Sequence, residues 1–189
     1  MPTTKLYIKN MVCPRCIMAV DDLLSNMNIA HSNIKLGEVE LLEKLNTKQL
    51  SELNASLKNL GFEIIDEKNE RIASQIKSAI VAWVHMSENA DNTRLSDFLC
   101  NELNADYSHL SKLFSETEGT TIEKYYIAQK IEKAKELLSY NELNINEIAY
   151  KLSYSSVAHL SAQFKKTTGL TPTQFRNTHS PTRKALDQI

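Results

Sequence analysis

The stretch Asn144–Lys166, NINEIAYKLSYSSVAHLSAQFKK, decides how the chain is read. Ile145, Ile148, Ala149 and Leu152 fall at i, i+3, i+4 and i+7, one apolar stripe on a helix. Ser153-Tyr154-Ser155 interrupts that stripe, and a serine ahead of a new apolar run is an N-cap signal. Leu160 and Phe164, four apart, form the buried side of a second helix. Ser156, His159, Ser161, Gln163 and Lys165 fall on its other faces. Two short helices, a tight polar turn and a basic exit are the layout of a helix-turn-helix, whose second helix enters the major groove. A helical hairpin with a solvated polar face fits the same residues and stays open on this stretch alone.

The pattern occurs twice. Leu95–Tyr125 reads LSDFLCNELNADYSHLSKLFSETEGTTIEKY. At a shift of fifty, His109, Leu110, Ser111, Phe114, Thr117, Gly119 and Thr121 meet His159, Leu160, Ser161, Phe164, Thr167, Gly169 and Thr171. The preceding helices match at forty-nine, pairing Leu99 with Ile148, Cys100 with Ala149 and Leu103 with Leu152. The one-residue difference belongs in the turn, where length changes are cheapest. A repeat of core positions alone does not require histidine and serine at matched outward sites. Two helix-turn-helix units are the better account.

At 189 residues, 42% hydrophobic and 24% charged, the chain suits one large or two small globular domains. MPTTKLYIKN lacks a signal-peptide run, and Ala79–Val84 is far too short to span a bilayer, so a cytoplasmic location is expected. There the three cysteines are thiols or ligands rather than disulfides. A net charge of −1 argues against diffuse nucleic-acid affinity and requires a local basic patch. Such a patch lies at the end, in Lys165, Lys166, Arg176, Arg183 and Lys184 against Asp187.

Residues 1–66 read as a small α/β unit. Lys5–Lys9 alternates around Leu6 and Ile8 as a half-buried strand, and Cys16–Asn28 carries Ile17, Val20, Leu23, Leu24 and Met27 at helical spacing. Ile34–Leu42 alternates on either side of Gly37-Glu38, as a hairpin would. Leu50, Leu53, Leu57 and Leu60 share a helical face behind Thr47 as N-cap, Gly61 ends that helix, and Phe62–Ile65 is a last strand. The order β-α-β-β-α-β is that of a ferredoxin-like sandwich. Between its first strand and helix stands Met11-Val12-Cys13-Pro14-Arg15-Cys16. Two thiols at C-x-x-C can close on one metal ion, with the helix N-terminus and Arg15 favouring thiolates. Cu(I), Zn²⁺ or another thiophilic ion suits such ligands.

This segment resembles the heavy-metal-associated domain of copper chaperones and metal-pumping ATPases, whose M-x-C-x-x-C motif Met11, Cys13 and Cys16 match. Pro14-Arg15 replaces the small residues usual between the cysteines, and Asn10 stands where those domains often carry glycine. Metal or thiol sensing, a redox switch, and a domain kept for folding or partner contacts all remain open for the pair.

Residues 67–93 are a hinge and bridging helix. Ile72, Ile76, Ala79, Ile80, Trp83 and Val84 share a broad face suited to packing on the first helix-turn-helix. Ile122–Ser139 has no glycine or proline and reads as one rod of roughly 27 Å, able to hold two recognition helices about one duplex turn apart. Leu95–Arg176 resembles the DNA-binding domain of the AraC/XylS regulators. The landmarks are Lys130-Ile131-Glu132-Lys133-Ala134, Glu136-Leu137-Leu138, Ile145-x-x-Ile148-Ala149 and Phe164-Lys165-Lys166-x-x-Gly169-Leu170-Thr171-Pro172-x-x-Phe175-Arg176. Departures are Leu152-Ser153-Tyr154, where a glycine usually precedes the aromatic, and Lys130, where arginine is usual.

The resemblance implies double-stranded promoter DNA as partner, with RNA polymerase beside it. It assigns contacts to Ser108, His109, Ser111 and Lys112 in the first recognition helix, and to Val157, Ala158, His159, Ser161 and Ala162 in the second. Val157, Ala158 and Ala162 offer no hydrogen bond to a base edge, only contact with a thymine methyl. The second unit is therefore expected to read sequence weakly and to position through phosphate contacts from Ser155, Ser156, Gln163, Lys165 and Lys166. Lys112 is the expected guanine contact. Cys100 aligns with buried Ala149 and is packing.

The expected class is α+β: a ferredoxin-like βαββαβ sandwich at 1–66, two helix-turn-helix units joined by a long helix at 94–178, and a basic tail at 179–189. No nucleophile–base pair or phosphate loop is visible, so no enzyme is expected. Two other readings stand beside a metal-responsive regulator. One is a metal chaperone or buffer with a C-terminal docking module, and the other is a thiol oxidoreductase.

Overall fold

The computed structural model describes residues 4–65, 68–86, 93–178 and 186–188. Its first half-dozen elements follow the expected order. They are β1 (Thr4–Lys9), α1 (Pro14–Asn26), β2 (His31–Lys35), β3 (Glu38–Leu41), α2 (Thr47–Asn59) and β4 (Glu63–Ile64). The sheet runs β2-β3-β1-β4 with each neighbouring pair antiparallel. Leu6 and Ile8 of β1 bury with Val39 and Leu41 of β3 against Val20 and Leu24 of α1 and Leu53 and Leu57 of α2.

Three of the boundaries that differ from the sequence reading do so for a local reason. Helix α1 begins two residues early, at Pro14, whose fixed φ and missing N–H suit a first helical position. Asn46, not Thr47, caps α2: its side chain accepts from Gln49 N while the Gln49 side chain accepts from Asn46 N. The last strand shrinks to Glu63–Ile64, with Phe62 and Ile65 turned into the interior on either side.

Helix α3 (Lys68–His85) has two working faces. Ala73, Ile76 and Ile80 join Leu99, Leu110, Phe114, Ile122 and Tyr125 in the core of the first helical unit. The other face meets the sheet through small groups. A Cβ on Gly37 would stand 2.8 Å from Ser78 Oγ, so glycine permits the approach there. Arg71 lies over the Tyr7 ring at 5.4 Å. Trp83, expected as core, is half-buried and stacks between Phe98 at 4.4 Å and Tyr126 at 5.5 Å.

The units of the repeat are α4 (Leu95–Leu103) with α5 (Tyr107–Glu118), and α7 (Ile145–Lys151) with α8 (Val157–Thr168). Helix α6 (Ile122–Tyr140) joins them, and α9 (Pro172–Asn177) closes the second core by setting Phe175 against Phe164. The extra residue lies in the second turn, between Leu152 and the N-cap Ser156, as the repeat offset predicts. Both recognition helices stop on a left-handed glycine, Gly119 (φ 65°) and Gly169 (φ 80°). A 3-10 turn spans Leu186–Gln188. Asp66 and Glu67 at the expected boundary between sandwich and hinge, residues 87–92, and the basic-tail residues Arg183 and Lys184 lie outside the described residues.

Candidate nucleic-acid interface

Each recognition helix is started by a side-chain cap, and the two caps differ in charge. Asp106 accepts from the Ser108 backbone N–H and hydroxyl, both at 2.7 Å. The Ser108 hydroxyl, then its amide, holds the Asp106 carboxyl below its usual range. The first recognition helix thus satisfies its own N-terminus with an anion, which repels a phosphate placed there. The second is capped by neutral Ser156, whose Oγ accepts from His159 N at 3.1 Å. Its N-terminus is open to a phosphate oxygen.

The charge around the caps follows the same division. Residues 95–118 carry Asp97, Glu102, Asp106, Glu116 and Glu118 against Lys112, whereas residues 145–168 carry Lys151, Lys165 and Lys166 against Glu147. One unit is acidic and the other basic.

On α5, Ser108, His109 and Lys112 are exposed, while Ser111 is half-buried with its carbonyl accepting from Ser115 Oγ. Lys112 reaches Glu116 at 4.0 Å, an exposed pair one turn apart that costs little to break. On α8, Ala158, His159, Ala162, Lys165 and Lys166 are exposed, as is Ser155 in the turn and Ser156 at the cap. Ser161 and Gln163 are half-buried, and Val157 packs partly against the second core. The expected contact residues therefore share two helix faces, but Val157 and Ser156 are partly committed to packing and capping.

Tyr154 is the residue that sequence reasoning missed. Its hydroxyl donates to Gln163 Oε1 at 2.7 Å, its ring packs edge-on to His159 at 5.2 Å, and Ser155 Oγ meets His159 Nδ1 at 3.1 Å. It holds two expected contact side chains in place. Behind it, Lys130 Nζ sits 3.8 Å from the Tyr154 ring centroid and 5.2 Å from that of Tyr126. Trp83 and Phe98 continue the stack beyond Tyr126. One line of aromatic and cationic contacts thus runs from the first unit, through α3 and α6, to the second recognition helix. The sequence marks 154 as an aromatic in the turn but gives no sign of its partners, which lie on the following helix.

The cysteine pair lies apart from these helices, at the N-terminus of α1. Cys13 is the N-cap residue, and the two half-buried Sγ atoms stand 3.4 Å apart. That separation is within what two thiolates span when they share one ion at Zn–S bonds of about 2.3 Å. Burial pushes the Cys16 thiol up, overriding the help expected from the helix N-terminus and Arg15. Met11 is fully buried in the first core and is taken up by packing. Asn10 adopts φ 71° and donates to Gly61 O at 3.0 Å, so the residue standing in for glycine fulfils glycine's backbone role. Among the described residues no group of three or more His, Cys, Asp or Glu side chains is placed to hold a metal.

Residues 99–178 match the model of a helix-turn-helix domain. The xylose operon regulatory protein of Escherichia coli (strain K12) is 30% identical over 118 residues, 62% of this chain and 30% of that protein. An uncharacterized HTH-type transcriptional regulator of Staphylococcus aureus (strain MSSA476) is 28% identical over 169 residues, 89% of this chain and 21% of its own length. The chain thus spans under a third of these curated relatives. Both of these relatives are regulators. A DNA-binding transcriptional dual regulator from Escherichia coli K-12 is 21% identical, covering 57% of this chain and 91% of that one with a TM-score of 0.49. No described helix is long and apolar enough to cross a membrane.

Proposed function

We propose that the chain is a sequence-specific transcription regulator of the AraC/XylS type, acting in the cytoplasm on promoter DNA beside RNA polymerase. The observation that carries this is the duplicated geometry: two capped recognition helices, each ended by a left-handed glycine, set at the two ends of one 19-residue helix. Docking to a protein requires neither the duplication nor the outward histidine and serine at matched positions. Helix α8 anchors on phosphates through Lys165, Lys166, Gln163 and the Ser155–Ser156 turn. Helix α5 reads base edges through Lys112, His109 and Ser108, with Ser111 nearer the core. Ala158, Ala162 and the outer edge of Val157 offer methyl contact, and His159 and Ser161 complete the second surface.

The N-terminal segment is best read as a ferredoxin-like domain of heavy-metal-associated type, a reading supported by its antiparallel β2-β3-β1-β4 order. Cys13 and Cys16 would hold a thiophilic ion such as Cu(I) or Zn²⁺. Two protein ligands leave such an ion open to exchange, which suits sensing better than structural support.

The test is binding of the reduced protein to DNA from its own upstream region, across salt, with and without Cu(I) or Zn²⁺. A Cys13→Ser/Cys16→Ser variant runs alongside. Specific binding that shifts with metal in wild type only is expected. Specific binding indifferent to metal removes the sensing role, and thiol-dependent metal binding without specific DNA binding returns the case to metal handling.

A further inference from the structure

The apolar core under the sheet and the core of the first helical unit share no residue. Between them lies a polar seam enclosing a cavity of about 190 Å³. Met11, beside the cysteine loop, lines one side, and Ser74 and Ser78 of α3 line another. Glu118, the last residue of the first recognition helix, closes a third, held by Lys77 at 3.0 Å. Exposed Lys9, Glu70 and Asp187 also line it.

We propose that this cavity is an effector site for a free amino acid or another zwitterion of that size. A filled apolar interface would need no such lining, whereas hydroxyls and charges of both signs match a ligand carrying both signs itself. The carboxylate faces Lys9 and the hydroxyl donors of Ser74 and Ser78. The ammonium faces Glu70. Because one wall belongs to the end of a recognition helix, occupancy favours one placement of that helix over another, and DNA changes ligand affinity by the same factor. This coupling rests on the regulator reading above; the binding itself does not.

The test is thermal melting of the full-length reduced protein with each standard L-amino acid at about 10 mM. At least one is expected to raise Tm saturably. Its affinity should fall at least ~10-fold in Lys9→Ala and in Glu70→Gln, both exposed positions, while ligand-free DNA binding stays unchanged. No shift with any amino acid, or a shift that survives both substitutions, overturns the site. If an amino acid binds through Lys9 and Glu70 but specific DNA binding is absent, the cavity stands and the regulator reading falls.

Discussion

Ser153 adopts φ 51°, a left-handed conformation that costs a side chain with a Cβ and that the first unit gives to asparagine, Asn104 at φ 49°. Its backbone carbonyl accepts from Lys130, so the side chain can be removed without breaking that contact. Ser153→Gly is therefore expected to stabilise the chain by roughly 0.5–1 kcal/mol, read from urea unfolding at unchanged m-value. A destabilised variant would mean that the serine side chain, not the backbone, is what the turn needs. Lys112 is the residue-scale prediction for DNA. Lys112→Ala should cost ~1–3 kcal/mol and relax preference at one base position, measured by competition with single-base variants of the operator. Unchanged affinity would show that it is not a reader. Both residues were visible in the sequence, Ser153 because it stands where a glycine is usual and Lys112 because it faces outward at a matched site. Tyr154 was not, because its two partners lie on the following helix and depend on how the turn folds back.

Helix α6 was legible as one continuous rod, and its apolar residues as core. Its interior polarity was not. Gln129, Lys130, Glu132 and Lys135 are all nearly buried, and no periodicity distinguishes such residues from solvated ones. Gln129 donates to Tyr125 Oη and Lys135 to Glu132 along the same helix, while Lys130 lies over Tyr154 of the second turn. Burial pushes the Lys130 ammonium down to about 8 from an ordinary 10.5. Above that value the unfolded chain holds a proton that the fold has released, so stability rises with pH from about 8 toward 10. Beyond pH 10 the sign reverses, because buried Tyr125 and Tyr154 resist ionisation in the fold. Lys130→Met should flatten the rise, as followed by thermal melting across this range. A slope that survives the substitution would assign the titration to another group. Helix α8 carries the second element-scale prediction. Lys165→Ala/Lys166→Ala should weaken binding to all sequences alike and reduce the log–log salt slope by roughly 1–2. A sequence-selective loss would move these lysines from anchoring to reading.

At the scale of the whole molecule, the order of elements and the duplication were legible because both rest on apolar spacing. The seam between the sheet and α3 was not, since Gly37, Ser74 and Ser78 have no pattern that reveals their proximity. The two halves consequently meet through polar contacts while each keeps its own core. Replacing both loop cysteines by serine is expected to leave metal-free DNA affinity within about 2-fold of wild type, by fluorescence anisotropy, because neither Sγ contributes to the helical cores. A large loss would show that the thiol pair supports the docking of the halves.

The opposed charges of the two units also set an order of events. On the regulator reading, a duplex approached at random pulls on the basic unit and repels the acidic one, so the molecule would arrive oriented, with α8 first. Landing of α5 is then an intramolecular step, driven by the high local concentration that the tether through α6 creates. Arrival is governed by one end of the chain and residence by the other. Added salt should slow capture in stopped-flow measurements while leaving dwell time on a specific site nearly constant. Loss of Lys112 should do the reverse.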